Sequence, residues 1–149
     1  MTYDALRRGR ASLPGHAYHI TIATAGRKPI FTDMTCARLA IDTLRQSDDA
    51  QRGKTIAWAL MPDHLHWLLT LGETVSLARI VHRFKGRSAR RINRHLKRSG
   101  TLWQRAYHDH TIREDEDLKS TARYIVANPL RAGLVERIGD YPHWDAAWI

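Results

Sequence analysis

The stretch "KTIAWALMPDHLHWLLTL", residues 54–71, decides the fold. Two apolar runs of strand length are joined by "MPD", which is too short for a crossover, so the runs should pair as an antiparallel hairpin. Successive side chains of a strand point to opposite faces. His64 and His66 therefore share one face of the second strand, while Leu65 and Trp67 share the other. The two histidines are spaced like the two arms of a chelate.

Two further elements precede the hairpin. Residues 16–24, "HAYHITIAT", carry β-branched and aromatic side chains at a period of two and predict a strand. Residues 33–46 carry apolar side chains at helical spacing and predict a helix, which either Asp33 or Thr32 can cap.

Three elements follow the hairpin. Apolar positions at helical spacing predict a long helix over residues 75–97, with arginines on its other faces. A short strand is expected over residues 106–112. A last helix should begin in the acidic "EDED", which suits the positive end of a helix dipole, and run to Asn128. We expect Pro129 to stop it.

The order β, α, β, β, α, β, α predicts an α+β fold of the ferredoxin-like or RRM-like kind, an antiparallel sheet with packed helices. No linker or repeat divides the 149 residues, so we expect one domain over residues 1–149. Within it, residues 1–15 should form a basic N-terminal arm and residues 140–149 a packed C-terminal tail.

Composition points to a cytoplasmic protein without a membrane segment. Hydrophobic residues make up 43% of the chain, yet no run of about 18 apolar residues exists and the N-terminus has no apolar signal core. The single cysteine, Cys36, excludes an internal disulfide and a zinc site built on cysteines. We expect it to be a small core residue.

The charge balance indicates a nucleic-acid partner. The chain has 24 Lys and Arg against 15 Asp and Glu, a net charge of +9, and no acidic residue lies between Thr74 and His108. Such a block can bind phosphates, although it could also be only a solvated helix face. Its candidate DNA contacts are Arg79, Arg83, Lys85, Arg87, Arg90, Arg91, Arg94, Lys97, Arg98 and Arg105.

Gly86 interrupts the predicted basic helix. An interior glycine costs a helix about 1 kcal/mol relative to alanine, so it usually has a reason. Close packing of a neighbouring element and close approach of a backbone phosphate are both reasons that the sequence leaves open.

The last helix presents a polar face that can carry chemistry. Tyr124 and Asn128 lie one turn apart on it, away from the core stripe. Together with His64 and His66 they suit a metal-assisted phosphoryl transfer. The histidines and the Asn128 oxygen would hold a divalent cation, and the Tyr124 phenol would attack a phosphate.

Each of these residues also has a plainer interpretation. A His-x-His pair in a strand is often incidental, a tyrosine on an amphipathic helix often packs at the core edge, and Asn128 could be only a helix-end residue. A second pair with the same period, His108 and His110, competes with the first, although its polar neighbours indicate an exposed strand edge.

Four motifs in the sequence resemble a known family. In chain order, "MPDHLHWLL", "GRSARRIN", "LWQRAYHDHTIR" and "RYIVANPLRAGLV" resemble the successive motifs of REP-associated tyrosine transposases. These are relatives of the single-tyrosine HUH transposases of bacterial insertion sequences. The resemblance extends over residues 14–148.

The resemblance implies specific roles. His64 and His66 match the paired metal ligands, Asn128 the third ligand and Tyr124 the catalytic nucleophile, with Mg²⁺ or Mn²⁺ as the metal. Such enzymes cleave single-stranded DNA beside a small hairpin, form a 5′-phosphotyrosine link, leave a free 3′-OH and can rejoin the strand. The implied partner is therefore a REP-type DNA hairpin, and the protein would be nucleoid-associated.

The resemblance also adds DNA contacts and leaves alternatives open. It implies that the N-terminal arm, with Arg7, Arg8 and Arg10, reads bases beside the hairpin. Trp103 and Gln104 belong to a motif of the family, with Trp103 either a core residue or a base-stacking platform. A hairpin-binding protein without catalysis remains an alternative, and so do both the monomer and the homodimer. An RRM-like RNA binder would instead need exposed aromatics on the sheet.

Overall fold

The computed structural model describes residues 16–48, 52–113 and 118–146. It shows the predicted α+β fold, with helices packed on an antiparallel sheet in the order β4-β1-β3-β2-β5. The strands are β1 (Ala17–Ala23), β2 (Gly53–Met61), β3 (His64–Leu71), β4 (His108–Ile112) and β5 (Trp144–Ala146). The α-helices are α1 (Met34–Gln46), α2 (Leu77–Leu96), α3 (Leu118–Val126) and α4 (Asn128–Arg131).

The predicted hairpin forms the centre of the sheet. Strands β2 and β3 pair antiparallel from Met61 opposite His64 to Gly53 opposite Leu71, with a register shift between Thr55 and Ala57. Two residues, Pro62 and Asp63, make the turn. On its other side β3 pairs with β1, so His64 begins a strand that is hydrogen-bonded along both edges.

The two faces of the sheet bury different side chains. The face covered by α1 and α2 carries large residues such as Ile20, Leu65 and Trp67, which are at most 1% exposed. The opposite face packs Leu68 against Ala122 of α3, in a smaller cluster rich in alanine. Small side chains let a helix lie close to a sheet, so α3 is held near the strands on this second face.

The helices begin where the sequence indicates. Asp33, rather than Thr32, caps α1, because its carboxylate accepts a 3.0 Å hydrogen bond from the Cys36 backbone N–H. Ser76 caps α2 by accepting from the Arg79 N–H. Lys97 caps the C-terminus of α2 in the left-handed conformation with φ 53°, so the helix ends close to the predicted boundary.

The prediction of one helix running to Asn128 was wrong. Helix α3 ends at Val126, and Asn128 begins the four-residue α4, with Pro129 in its first turn. Proline is well tolerated there because the N–H it lacks would have no partner inside the helix. Pro129 therefore starts a new turn instead of only stopping the old one. The predicted start of the last helix, in "EDED", lies outside the described residues.

The end of the chain contributes a strand that the sequence pattern did not predict. β5 pairs with β2, with Ala146 opposite Ala57 and Trp144 opposite Ala59. The Tyr141 hydroxyl donates a 2.6 Å hydrogen bond to the Leu60 carbonyl beside it. The predicted N-terminal arm, residues 1–15, and the last three residues lie outside the described part of the chain. Among the helices that are described, none is both long and apolar enough to cross a membrane.

Candidate metal and nucleophile site

His64 and His66 project from the face of the sheet that α3 covers. Both lie on the same side of β3 as Leu68, which packs against α3. Their rings are 4.9 Å apart between centroids and meet at 78°. Both residues are half-buried, so the face is partly shielded and still open at the start of β3.

Three more histidines share this face. His19 on β1 lies opposite His110 on β4, and Thr21, two residues along β1, lies opposite both His66 and His108. Residues directly opposite in an antiparallel pair point to the same side. We call these five residues the histidine face: His19, His64, His66, His108 and His110. His108 and His110 are exposed, as the sequence indicates.

The Nδ1 atoms of both candidate ligands are held by neighbours. His64 Nδ1 donates to Asp63 Oδ1 at 2.7 Å, and the Arg27 Nε donates to the other Asp63 oxygen at 3.0 Å. His66 Nδ1 lies 3.0 Å from His19 Nε2. Histidine ligands of metals commonly use their second nitrogen in this way. The Nε2 atoms are therefore the ones suited to hold a cation.

Electrostatics keep His66 and His19 neutral. Burial lowers the pKa of His66 to about 3, helped by the charges that His19, His64, Arg131 and Arg27 would place beside an imidazolium. Burial and the nearby His110 lower the pKa of His19 to about 4. The neutral imidazole is the form that binds metal.

Asp63 stays ionised beside the pair. Burial tends to raise the pKa of its carboxyl group, but the hydrogen bond from His64 and the Arg27 charge outweigh burial and leave that pKa below its ordinary value. The carboxylate can therefore accept the His64 Nδ1–H at neutral pH.

Tyr124 presents its side chain to solvent instead of packing at the core edge. It is 56% exposed, whereas Ala122 and Ile125 on the same helix are fully buried. The Arg131 guanidinium lies over the Tyr124 ring, 3.7 Å from the centroid, and covers one side of it. The phenol is thus accessible and its ring is held in place.

Asn128 and Tyr124 are joined through Arg131. The Arg131 Nη2 donates a 3.2 Å hydrogen bond to Asn128 Oδ1, the oxygen expected to bind metal. Ala122 and Ile125 of α3 pack in one cluster with Leu68, which points to the same side of β3 as His64 and His66, so α3 lies on the histidine face. Sequence reasoning missed Arg131. The sequence carried one signal for it, because Arg131 follows Asn128 by one helical turn within "RYIVANPLRAGLV".

The donor set of the site fits a divalent cation. Two imidazole nitrogens and an amide oxygen suit Mn²⁺ better than Mg²⁺, which prefers oxygen ligands. His64, His66 and Asn128 would hold the cation, and phosphate oxygens could take its remaining positions. Tyr124 would supply the hydroxyl.

The arginines of α2 divide into two groups. Arg87 donates to Gln46, and Arg91 donates to Thr43 and forms a 2.9 Å ion pair with Asp42, so both face α1. The exposed group lies on one stripe of the helix: Arg79, Arg83, Arg90, Arg94 and Lys97. Arg87 and Arg91 are therefore engaged within the protein, whereas this stripe is free to meet DNA, and the other DNA contacts of the basic block stay predictions.

Lys85, Arg98 and the segment after α2 also make specific contacts. Lys85 Nζ donates to the Arg105 carbonyl, and Arg98 donates to the Thr101 carbonyl. Trp103 is only 3% exposed and donates its Nε1–H to Ser88 Oγ. Of the two alternatives that the sequence leaves open for Trp103, the structure thus shows the core residue, because a buried indole cannot stack on a base.

The structure describes only some of the remaining predicted DNA contacts. Gln104 and Arg105 are exposed, as DNA-contacting residues must be. The predicted contacts Arg7, Arg8 and Arg10 lie outside the described residues.

A second group of ligand-type side chains lies away from the histidine face, at the start of α1. Donor atoms of Asp33, Cys36 and His95 lie within 4.8 Å of one another. Asp33 caps α1, and its other oxygen lies 3.6 Å from His95 Nε2. Burial, together with the Asp33 charge, raises the pKa of the Cys36 thiol to about 11, so it stays protonated at neutral pH. Cys36 is buried, as predicted.

Comparison with known proteins identifies the family. Residues 12–128 match the family described as "Transposase IS200 like". The chain belongs to this family of transposases, a class of DNA-processing enzymes. The resemblance inferred from the four sequence motifs is confirmed.

Two relatives carry a more specific name. A candidate REP-associated tyrosine transposase of Haemophilus influenzae is 32% identical over 100 residues, covering 60% of this chain and 57% of the relative. The REP-associated tyrosine transposase of Escherichia coli K12 is 28% identical over 88 residues, covering 58% of this chain and 50% of the relative. The alignments thus span about half the length of each of these relatives.

Two solved structures share the fold. A REP-associated tyrosine transposase bound to a REP hairpin has a TM-score of 0.70 at 22% identity, covering 91% of this chain and 79% of the other. A candidate transposase from Deinococcus radiodurans R1 has a TM-score of 0.53 at 26% identity, covering 75% and 88%. Both confirm the sheet with packed helices.

Proposed function

We propose that this protein is a metal-dependent endonuclease and strand transferase that acts on single-stranded DNA at REP-type hairpins. The observation that carries the proposal is the placement of Tyr124. It is exposed on α3, one turn before Asn128, and α3 packs on the sheet face that presents His64 and His66. The similarity to REP-associated transposases, one of them solved with a REP hairpin, supports the hairpin as substrate.

The proposed reaction is a transesterification. The Tyr124 hydroxyl oxygen attacks the scissile phosphorus, the bond to the 3′ oxygen breaks, and the 3′-OH leaves with a proton. The product is a 5′-phosphotyrosine, and attack by a 3′-OH on that ester rejoins the strand without ATP. When bound, the divalent cation withdraws charge from the phosphate, which matters because a neutral phenol is a weak nucleophile.

The surrounding residues have roles in binding and orientation. Asp63 and His19 hold the rings of His64 and His66 through their Nδ1 atoms. The Arg131 guanidinium holds the Tyr124 ring and has further N–H groups that can reach a phosphate oxygen. The exposed stripe of α2 provides phosphate contacts, and chromosomal DNA as substrate implies a nucleoid location.

The decisive experiment detects the covalent intermediate. A labelled single-stranded hairpin with flanks is incubated with protein and Mn²⁺, and an adduct that survives SDS is expected. Tyr124→Phe should abolish it, whereas Tyr141→Phe should keep it, because the Tyr141 hydroxyl is engaged by the Leu60 carbonyl. An adduct that persists in Tyr124→Phe would exclude Tyr124 as nucleophile. Specific hairpin binding with no adduct in the unmodified protein would instead identify a binding protein without catalysis.

The metal assignment has its own test, because two histidine pairs share one face. Mn²⁺ binding, measured by calorimetry without DNA, should be lost in His64→Ala and kept in the double variant His108→Ala, His110→Ala. Loss of Mn²⁺ binding only in the double variant would assign the metal site to His108 and His110 on β4. The mass of the protein with and without hairpin would distinguish a monomer from a homodimer.

A further inference from the structure

Gly86 lies in the interior of α2, and no described residue packs closely against it. A Cβ placed at this position would meet Arg90 Nη1 at 3.6 Å, which is ordinary van der Waals contact. Glycine weakens a helix relative to alanine. Close packing within the described protein therefore does not explain why α2 has a glycine here, and the alternative of a close external partner remains.

Gly86 lies in a groove of about 1150 Å³ between α2 and residues 100–107. Its rims carry cationic and imidazole groups, and its floor carries aliphatic side chains. The described basic lining residues are Arg52, Arg79, His82, Arg83, Lys85 and Arg105. The aliphatic ones include Val75, Ala78, Ala89, Leu102 and Ala106. No described residue of the lining is acidic.

The far wall of the groove leads toward the candidate site. The Gln104 N–H donates a 2.8 Å hydrogen bond to the Ala23 carbonyl, and Trp103 bridges to Thr24. These contacts fix the wall at the end of the sheet where β1 finishes and where Ala23 pairs with His64. A single strand of DNA that leaves the groove past Gln104 would therefore reach the edge of the histidine face.

We propose that this groove binds the single-stranded DNA flank of the hairpin, with the sugar-phosphate backbone lying against Gly86. The proposal rests on the proposed function and specifies where its substrate lies. The basic rims match a phosphate chain, and the aliphatic floor can pack against the apolar faces of unpaired bases. A duplex stem presents phosphates outward and keeps its bases stacked, so it would leave this floor uncovered.

The test adds bulk at Gly86 and compares two DNAs. Affinities are measured by fluorescence anisotropy for the hairpin with flanks and for the same hairpin without flanks. Gly86→Leu should weaken binding of the flanked hairpin by about tenfold, the effect of losing one contact of about 1.4 kcal/mol, because the added side chain would stand where the DNA backbone lies. Binding of the hairpin without flanks should not change.

Controls separate this effect from misfolding. Leucine and alanine both favour a helix over glycine, so Gly86→Leu and Gly86→Ala should raise the melting temperature while Gly86→Leu weakens flank binding. Gly139, where an added Cβ would also find open space, provides the matched control. Gly139→Leu should alter neither affinity.

Three results would overturn the proposal. Unchanged affinity of Gly86→Leu for the flanked hairpin would show that the groove is not occupied. Equal weakening for both DNAs would assign α2 to the duplex stem. A lower melting temperature with equal loss for both DNAs would indicate a packing role for Gly86. The proposed function would fail separately, if the unmodified protein bound neither hairpin.

Discussion

Asp63 and His19 determine which nitrogen each candidate ligand presents. A neutral imidazole carries one N–H, and the Asp63 carboxylate accepts only if His64 carries it on Nδ1. The same tautomer of His66 donates to His19 Nε2. Both rings then present an unprotonated Nε2, so two different acceptors produce the same ligand geometry.

Replacing His19 tests this arrangement at a single residue. His19→Leu removes the acceptor and should weaken Mn²⁺ binding by about tenfold, the lower end of the effect of such partners. His19→Gln places an amide oxygen near the position of Nε2 and should restore most of the affinity. Calorimetric titration with Mn²⁺ in the absence of DNA gives both values. Equal loss in the two variants would mean that His19 acts through packing alone.

The sequence predicts part of this residue-level geometry. A period of two is enough to place His64 and His66 on one face. It does not reveal His19 as a neighbour of His66, because residues 47 positions apart meet only through the register of β1 on β3. The Arg131 contact with Tyr124 was also missed, since Arg131 lies on α4, beyond the predicted end of the last helix at Asn128.

At the scale of elements, one side of α2 contacts α1 and another side faces solvent. Arg91 is engaged by Asp42 and Thr43 of α1, whereas Arg83 is exposed and lines the groove. A run of arginines in a sequence therefore overstates the number of phosphate contacts. Helix periodicity could have separated the two groups only if the position of α1 had been known.

The pair Arg83→Gln and Arg91→Gln tests this division. Arg83→Gln should weaken hairpin binding and reduce the slope of log affinity against log salt by about 0.7 to 0.9, the loss of one phosphate contact. Arg91→Gln should leave the slope unchanged and cost at most about 1 kcal/mol of stability, because its ion pair is partly exposed. Anisotropy titrations at several salt concentrations measure the slopes. A larger change of slope in Arg91→Gln would contradict the assignment.

At the scale of the whole molecule, the histidine face makes stability depend on pH. His19 and His66 have pKa values of about 4 and 3 in the folded protein, against about 6.5 when unfolded. Between these values the unfolded chain binds more protons than the folded one. Stability is therefore fully present above pH 6.5 and decreases as the pH falls toward 4.

This dependence can be measured on the metal-free protein. Each of these two histidines should lower the free energy of unfolding by up to about 1.4 kcal/mol per pH unit within that window. Urea unfolding at pH 7 and pH 5 should show the loss, and His19→Leu should reduce it by removing one titrating group. An equal loss in His19→Leu would assign the acid sensitivity to other groups.

The pairing of β5 with β2 has a practical consequence. Without residues 141–146, β2 would keep its pairing with β3 but lose its partner on the outer edge, exposing the backbone N–H and C=O groups of residues 57–59. Such an edge is a template on which another chain can add a strand. The segment of residues 141–146 thus protects the protein from aggregation, and shortened versions designed for crystallisation or labelling should retain this segment.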